Sequence, residues 1–423
     1  MSRWSDPLSF RARLREALPS EVYQLLQQAA AVAVAQDAAL YLVGGPVRDL
    51  VLGRPITDLD LVIAGDAWPV AEAFAGVTEG RLTKHAAFRT AVVETLVAGQ
   101  SYALDFVTAR REVYPTPAAL PEITPSHMYD DLARRDFTIN ALALALTAQQ
   151  TDPLLDPFDG LGDITAQIIR VLHDRSFIDD PTRILRAARF AARLEFTVEP
   201  HTRALIDDAL AQQMIARTSA QRILNELWLV LDEPHPEGAL ALIHQWAALH
   251  QLGLVWNPDW RQQFRAARTQ PPSDPPARLL GFGLLIWPLA AQQRTAFAAR
   301  YNLPTAERKL LQELPLTIPP ALLQAALDAN TLEQVLQPFS AAALHTLRLV
   351  APPPVAAHIE RYLDAIRSLP PLLTGEDLRA HGVAPGPRYR EILAAARQAQ
   401  LRGAIADHDA ALEWLTQQDA STT

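Results

Sequence analysis

Two carboxylates, Asp58 and Asp60, sit one residue apart inside the apolar run DLDLVIA (58–64). Successive side chains of a strand point to opposite faces, so both acids would share one face, with Leu59, Leu61 and Ile63 on the other. Carboxylates that close repel each other, and burying them without partners is costly. A divalent cation removes both problems, and carboxylate, water and phosphate oxygens are the donors Mg²⁺ prefers. Asp105, between Leu104 and Phe106 in ALDFVTA, falls on a second expected strand and can supply a third carboxylate. An isolated DxD more often reflects a turn cap and an arginine partner, so the surroundings decide. A dozen residues earlier, Gly44-Gly45 closes the run LYLV, and glycines there let backbone amides approach a phosphate.

Positioning these groups requires a scaffold, and the sequence marks one. Residues 20–37 read as a helix opened by Pro19-Ser20, with Val22, Leu25, Leu26 and Ala29 on one face. LYLV (40–43) reads as a strand ending at the glycine pair. Pro46 opens a short helix that stops at Gly53. DLDLVIA (58–64) is the next strand, and VVETLV and SYALDFVTA form a hairpin around Ala98-Gly99-Gln100. This mixture ends near residue 146. Beyond it, alanine, leucine and arginine recur at helical spacing. SFIDDPTRILRAARFAARLEF (176–196) is the strongest helix signal, with Pro181 in its first turn. Proline-rich joints follow at TQPPSDPPAR, LPLTIPP and APPPVAAH. No internal repeat is evident.

Composition bounds the rest. The 423 residues are 49% hydrophobic, enough for two or more cored domains. There is no cysteine, which excludes disulfides and thiolate metal sites and fits a reducing, cytoplasmic compartment. The start, MSRWSDPLSFRARLREALP, has no apolar core of signal-peptide length. The longest apolar run, Leu279–Ala291, is short of the roughly 20 residues a bilayer needs and contains Pro288, so a buried helix and no membrane partner are expected. A net charge of −9 argues against coating nucleic acid by charge alone. Lysine occurs only at 84 and 309, so arginine, which suits bidentate phosphate recognition, carries nearly all the positive charge.

Arg48 and Asp49 complete the pattern GGxVRDxxLGRxxxDxD, which closely resembles the head motif of the class II tRNA nucleotidyltransferase and bacterial poly(A) polymerase family. The resemblance extends to DLARRDFTIN (131–140). In that family this block contacts the incoming nucleotide's sugar and phosphates, and Arg134, Arg135, Asp136 and Asn140 match it. Arginines neutralise triphosphate charge, and Asp and Asn can bond ribose hydroxyls. LDPFDGLGDI (155–164) resembles the next block, with glycines that suit a hinge or a plain surface turn. DDPTRILRAARF (179–190) resembles the family's EDxxR pattern, a protein template for choosing the base. Asp180 and Arg183 match it, and three apart they would share one helix face. The carboxylate accepts and the guanidinium donates. Cytosine and adenine both offer an amino donor beside a ring-nitrogen acceptor, whereas uracil and guanine present the reverse order. Asp179 stands where the family usually has Glu. Arg186 and Arg189 continue the helix face and can reach phosphates, although ordinary surface charge explains Arg189 equally well. Arg222 and Glu226, four apart in SAQRILNEL, read as a structural ion pair. LLTGEDLRAHGVAPGPRYREILAAARQAQLRGAI (372–405) resembles the RNA-holding C-terminal segment of many bacterial CCA-adding enzymes, with Arg390 in place of a usual glycine.

The resemblance implies an α+β protein: a small mixed α/β nucleotidyltransferase head (1–146) followed by an elongated all-helical neck carrying the nucleotide-selecting helix (147–230), body (231–350) and RNA-binding tail (351–423). It implies template-independent, Mg²⁺-dependent addition of CCA to the 3′ end of tRNA from CTP and ATP. Asp58 and Asp60 would bind metal, with Asp105 as a third ligand or base. Gly44, Gly45, Arg48, Arg134, Arg135, Asp136, Asn140, Asp180, Arg183, Arg186 and Arg189 would hold the nucleotide. A flexible segment before RRDFTIN is linked in the family to the final A step, and residues 111–131, with prolines at 115, 117, 121 and 125, fill its place. A CC-only enzyme is therefore less favoured. An A-adding enzyme and a poly(A) polymerase are the alternatives within the family, and a non-catalytic RNA-binding paralogue is a distant one.

Overall fold

The computed structural model describes residues 7–85, 89–147, 154–269 and 275–420. The chain divides into two compact units, residues 1–233 with 238–252, and residues 234–237 with 253–423.

The first unit is mixed α/β. Its strands are β1 (Ala39–Val43), β2 (Asp60–Ala64), β3 (Arg81–His85), β4 (Thr90–Val97), β5 (Gln100–Thr108), β6 (Arg110–Val113), β7 (Glu122–Pro125), β8 (Ala143–Ala145), β9 (Leu154–Leu155), β10 (Ile168–Ile169) and β11 (Thr197–Val198). Seven of them form one sheet in the order β3-β4-β5-β2-β1-β8-β9. Only β2 and β5 pair in parallel within it, in a register that sets Asp60 opposite Asp105. The β4–β5 hairpin turns at Ala98-Gly99, both at positive φ, as a tight two-residue connection demands.

Helices α1 (Pro7–Ala17), α2 (Ser20–Ala35), α3 (Gly45–Leu52) and α4 (Ala67–Thr78) belong to the sheet region. Phe74 of α4 packs on Phe106 of β5, with ring centroids 5.3 Å apart. On another cluster Tyr41, Val43, Val62, Ala143 and Ala145 pack with Met128 and Leu132 of α5 (Met128–Ala133). The central strands thus contribute to two cores, and a strand one residue out of register would turn its acids inward. The unit continues through α6 (Gly160–Ala166), α7 (Ser176–Asp179), α8 (Arg183–Leu194), α9 (Pro200–Ala211), α10 (Met214–Arg217) and α11 (Ala220–Asp232).

Four sequence expectations change. The strand expected from residue 58 begins at Asp60, because β1 turns into α3 at Gly44 and leaves Asp58 without a strand neighbour. The single helix expected over 176–196 is two, α7 and α8. Pro181 disfavours the helical region for the residue before it, and Asp180 is extended at φ −133°, ψ 91°. Asp180 and Arg183 thus do not share a helix face. Strands also persist beyond 146 as the short β9, β10 and β11. Finally, the segment 111–131 carries regular structure of its own: β6 and β7 pair as an antiparallel ribbon that leads into α5.

The second unit is helical. Leu332, Leu336, Leu344, Leu347 and Ile359 are central to one buried cluster, and Leu373, Leu378, Ala396, Ala399 and Leu415 to another that closes the C-terminal helices. Ala277–Ile286 is the buried helix expected from the apolar run; it ends two residues before Pro288. Among the described residues, no helix is long and apolar enough to cross a membrane.

Candidate active site

A cleft of about 390 Å³ in the first unit is lined by Gly45, Arg48, Asp58, Asp60, Arg134, Arg135, Asp136, Asn140, Asp180, Arg183, Arg186 and Arg189. These are twelve of the fourteen residues singled out from the sequence. The other two, Gly44 and Asp105, do not line it but adjoin residues that do. Asp105 is the register partner of Asp60. Gly44 has φ +73°, and a Cβ there would lie 2.6 Å from Arg135 Nη1. Its N–H donates to the Leu142 carbonyl at 2.9 Å, so the amide of Gly44 is committed to the sheet and the glycine serves close approach.

Asp58, Asp60 and Asp105 have exposed side chains, and none forms an ion pair among the described residues. The poorly hydrated surroundings of Asp60 raise its pKa above the ordinary 3.8. Arg135 opposes this, and the charges of Asp58 and Asp105 add to it. Partial desolvation by the surrounding sheet likewise raises Asp105, against the pull of His85 and with a push from Asp58. The balance disfavours negative charge at Asp60 and Asp105, and a bound cation would reverse it. Among the described residues no group of three or more His, Cys, Asp or Glu side chains forms a ready cage. The donor set fits a hard divalent ion that takes two carboxylates and completes its shell with water and phosphate oxygens.

The arginines opposite are held by buried carboxylates. Asp131, fully buried, takes Arg134 Nε at 2.9 Å, Arg134 Nη2 at 2.8 Å and Arg135 Nη2 at 3.0 Å. Burial works against its ionisation, yet the two guanidiniums pull its pKa below the ordinary value. Glu112 accepts from Arg134 Nη1 at 2.9 Å and from Arg110. Arg48 forks onto Asp49 through Nε and Nη2, both at 2.9 Å, and reaches Asn140 Oδ1 at 2.6 Å. Asn140 in turn donates to Asp136 Oδ1 at 3.0 Å, which also caps the Phe137 N–H. Asp136 Oδ2 receives Arg186 Nε at 2.8 Å and Nη2 at 2.6 Å. Burial penalises the Asp136 charge, but Arg186, Asn140 and Arg183 outweigh it and hold the pKa at about 2. Both Asp136 oxygens are spent inside the protein, so in this arrangement the residue sets its neighbours rather than offering a free acceptor.

The RRDFTIN block is therefore the exit of α5, a 3₁₀ turn over Thr138–Asn140 and the entry to β8. Asp163 of LDPFDGLGDI clips it: Thr138 donates to Asp163 Oδ2 at 2.6 Å, and Arg170 pairs with the same carboxylate at 3.0 Å. Gly160 permits this, because a Cβ there would run into the Thr138 carbonyl.

Asp180 accepts from Thr182 N at 3.1 Å and Arg222 Nη2 at 2.7 Å. Arg183, buried, donates to Ser176 Oγ and to the Arg134 carbonyl, each at 2.7 Å. Asp179 lies in an adjoining cavity, paired with Arg175 at 2.9 Å. The Arg222–Glu226 pair expected from their spacing is replaced by two others. Arg222 holds Asp180, and Glu226 holds Arg186 at 3.2 Å and Arg189 at 3.6 Å. Arg189 is buried between Glu226 and Glu233, not surface charge.

Sequence reasoning missed Asp131, Glu112, Tyr114, Phe190 and the role of Arg222. Asp131 was findable, since it stands three and four residues before Arg134 and Arg135 within one turn. Phe190 was not. Four guanidiniums, of Arg48, Arg186, Arg189 and Arg193, lie 4.8–5.8 Å from its ring centroid, and only the fold gathers them.

With this geometry in hand, similarity to known proteins is specific. Residues 40–170 match the family model described as the poly A polymerase head domain. The chain is 33% identical over 411 residues to the A-adding tRNA nucleotidyltransferase of Halalkalibacterium halodurans, covering 95% of this chain and 93% of that one. It is 36% identical over 376 residues to the CC-adding tRNA nucleotidyltransferase of Deinococcus radiodurans, covering 88% and 87%. The fold superposes with a TM-score of 0.74 at 26% identity on the Thermotoga maritima CCA-adding enzyme complexed with tRNA-CCA, covering 96% and 98%.

Proposed function

The chain belongs to the class II tRNA nucleotidyltransferase family, and from that premise we propose that it adds CCA to the 3′ end of tRNA from CTP and ATP without a nucleic-acid template. One observation carries the reading. Asp58 and Asp60, without an ion pair among the described residues, share a single cleft with Asp180, Arg183 and six further arginines.

Each group has a part that follows from its surroundings. Asp58 and Asp60 would hold Mg²⁺, which when bound lowers the pKa of the RNA 3′-hydroxyl and stabilises the leaving pyrophosphate. Asp105 adds negative charge beside them. Arg134 and Arg135, pinned by Asp131, meet the triphosphate in a fixed orientation, so little ordering remains to be done on binding. Arg48, Asn140, Asp136 and Arg186 form one chain of hydrogen bonds that sets the floor of the cleft. Gly45 starts α3 at the lining of the cleft, where the first helical amides have no partner in the helix ladder. Asp180 and Arg183 select the base, accepting the cytosine or adenine amino group and donating to the ring nitrogen. In-line positioning and charge neutralisation supply most of the rate. Head, neck, body and tail are divided at about residues 146, 230 and 350 as the sequence suggests, and the absence of cysteine fits the reducing cytoplasm where tRNA matures.

A second reading, addition of the terminal A alone, is favoured by the 33% identity to an A-adding enzyme over 95% of this chain. Purified protein offered three tRNAs, ending before CCA, after C and after CC, with CTP and ATP supplied singly and together, separates the two. Full CCA on the shortest tRNA supports the proposal. Extension of only the tRNA ending in CC, by ATP alone, replaces it with the second reading.

A further inference from the structure

Between β6 and β7 the chain crosses to α7 and α11. Ala118, buried at φ +61°, donates its N–H to the Ile178 carbonyl at 3.0 Å. The carbonyls of Ala118 and Ala119 accept Arg222 Nη1 at 3.0 and 3.3 Å. The other end of the same guanidinium, Nη2, donates to Asp180 Oδ1 at 2.7 Å. That oxygen also accepts Thr182 N at 3.1 Å and Thr182 Oγ1 at 2.6 Å. Three donors thus converge on Oδ1, which fixes the carboxylate plane while Asp180 still lines the cleft. Tyr114, at the start of the crossing, lines the cleft too, and burial pushes its phenol up to about 12, so it stays a neutral donor.

We propose that Arg222 is the positioning residue for nucleotide selection: it locks the Asp180 carboxylate and ties that orientation to the 114–121 crossing. The proposal rests on the reading of Asp180 and Arg183 as the base-selecting pair. A planar fork with separated donors is needed to hold a carboxylate at one end and two carbonyls at the other. A lysine ammonium satisfies one end at a time. Without the lock, the carboxylate turns on χ2 and can meet a carbonyl-bearing base edge through water, which weakens rejection of UTP and GTP.

The test compares wild type, R222M, R222K, D180A and D180A/R222M. It measures kcat/KM for CTP, ATP, UTP and GTP on the tRNA end that wild type extends, and hydrogen exchange over residues 114–121. R222M is expected to lower the ratio of correct to incorrect nucleotide by roughly tenfold or more, the scale on which misplacement of a selecting group acts. R222K should fall between R222M and wild type. Exchange over 114–121 should quicken in R222M. In the D180A background, R222M should change the ratio by less than about twofold, since the two act as one unit. An unchanged ratio in R222M, with D180A having lost discrimination, overturns the role of Arg222 and leaves the base-selecting pair intact. An undiminished R222M effect in the D180A background also overturns it, marking Arg222 as merely structural. Full discrimination in D180A overturns both readings. Should R222M fail to fold, R222K carries the comparison, and a wild-type ratio there refutes the proposal.

Discussion

Replacing Asp136 with Asn tests whether the cleft floor is held by charge. In the native protein this buried carboxylate takes two N–H groups of Arg186, the side-chain amide of Asn140 and the Phe137 N–H. Its pKa of about 2, against an ordinary 3.8, corresponds by linkage to about 2–3 kcal/mol at 1.36 kcal/mol per pH unit. D136N keeps the shape and removes the charge. Of its two carboxylates Arg186 then keeps Glu226, at 3.2 Å, and it faces an amide that can present N–H to N–H. Breaking a buried pair from one side costs about 3–5 kcal/mol, so a loss of about 3 kcal/mol is expected at pH 7. The sign follows from the depressed value. The contribution is present above pH 3.8 and disappears as pH falls through about 2. Urea unfolding of both proteins at pH 7, 4 and 3 should therefore show a constant gap at the first two and a smaller one at the third. A gap below about 1 kcal/mol at pH 7, or one that widens toward pH 3, would refute the charge-held floor.

Two further outcomes are expected. Asp60 and Asp105 have folded pKa values above 3.8, so the stability owed to their neutral forms is full below that value and is lost as pH rises through the raised ones. Mg²⁺ without nucleotide should thus raise the melting temperature more at pH 8 than near the ordinary carboxylate value of 3.8, and D60N should remove most of that rise along with nucleotide addition. Equal rises at both pH values, or an undiminished rise in D60N, would place the metal elsewhere. Gly44→Ala must hold an L side chain at φ +73° with its Cβ in the space of the Arg135 guanidinium. A loss of about 1–3 kcal/mol in denaturant unfolding is expected, and an unchanged midpoint would show that Arg135 moves aside freely.

Much of this protein was legible along the chain because its signals are local. Apolar alternation gave the strands, the glycine pair gave the β1–α3 turn, and the motifs named twelve residues that line one cleft. Asp131 beneath its two arginines was missed although its spacing of three and four residues is a local signal of the same kind. What the sequence could not decide were partners far apart in the chain. Whether Arg222 turns to Glu226 or to Asp180 depends on where α11 packs against the end of α7, 42 residues away in sequence. The same holds for Phe190 under four guanidiniums, and for the register that sets Asp105, expected on a neighbouring strand, opposite Asp60 itself. Helix and turn choices follow from backbone sterics within a few residues. The charge of each group at the site follows from burial and from neighbours that only the folded chain brings within reach.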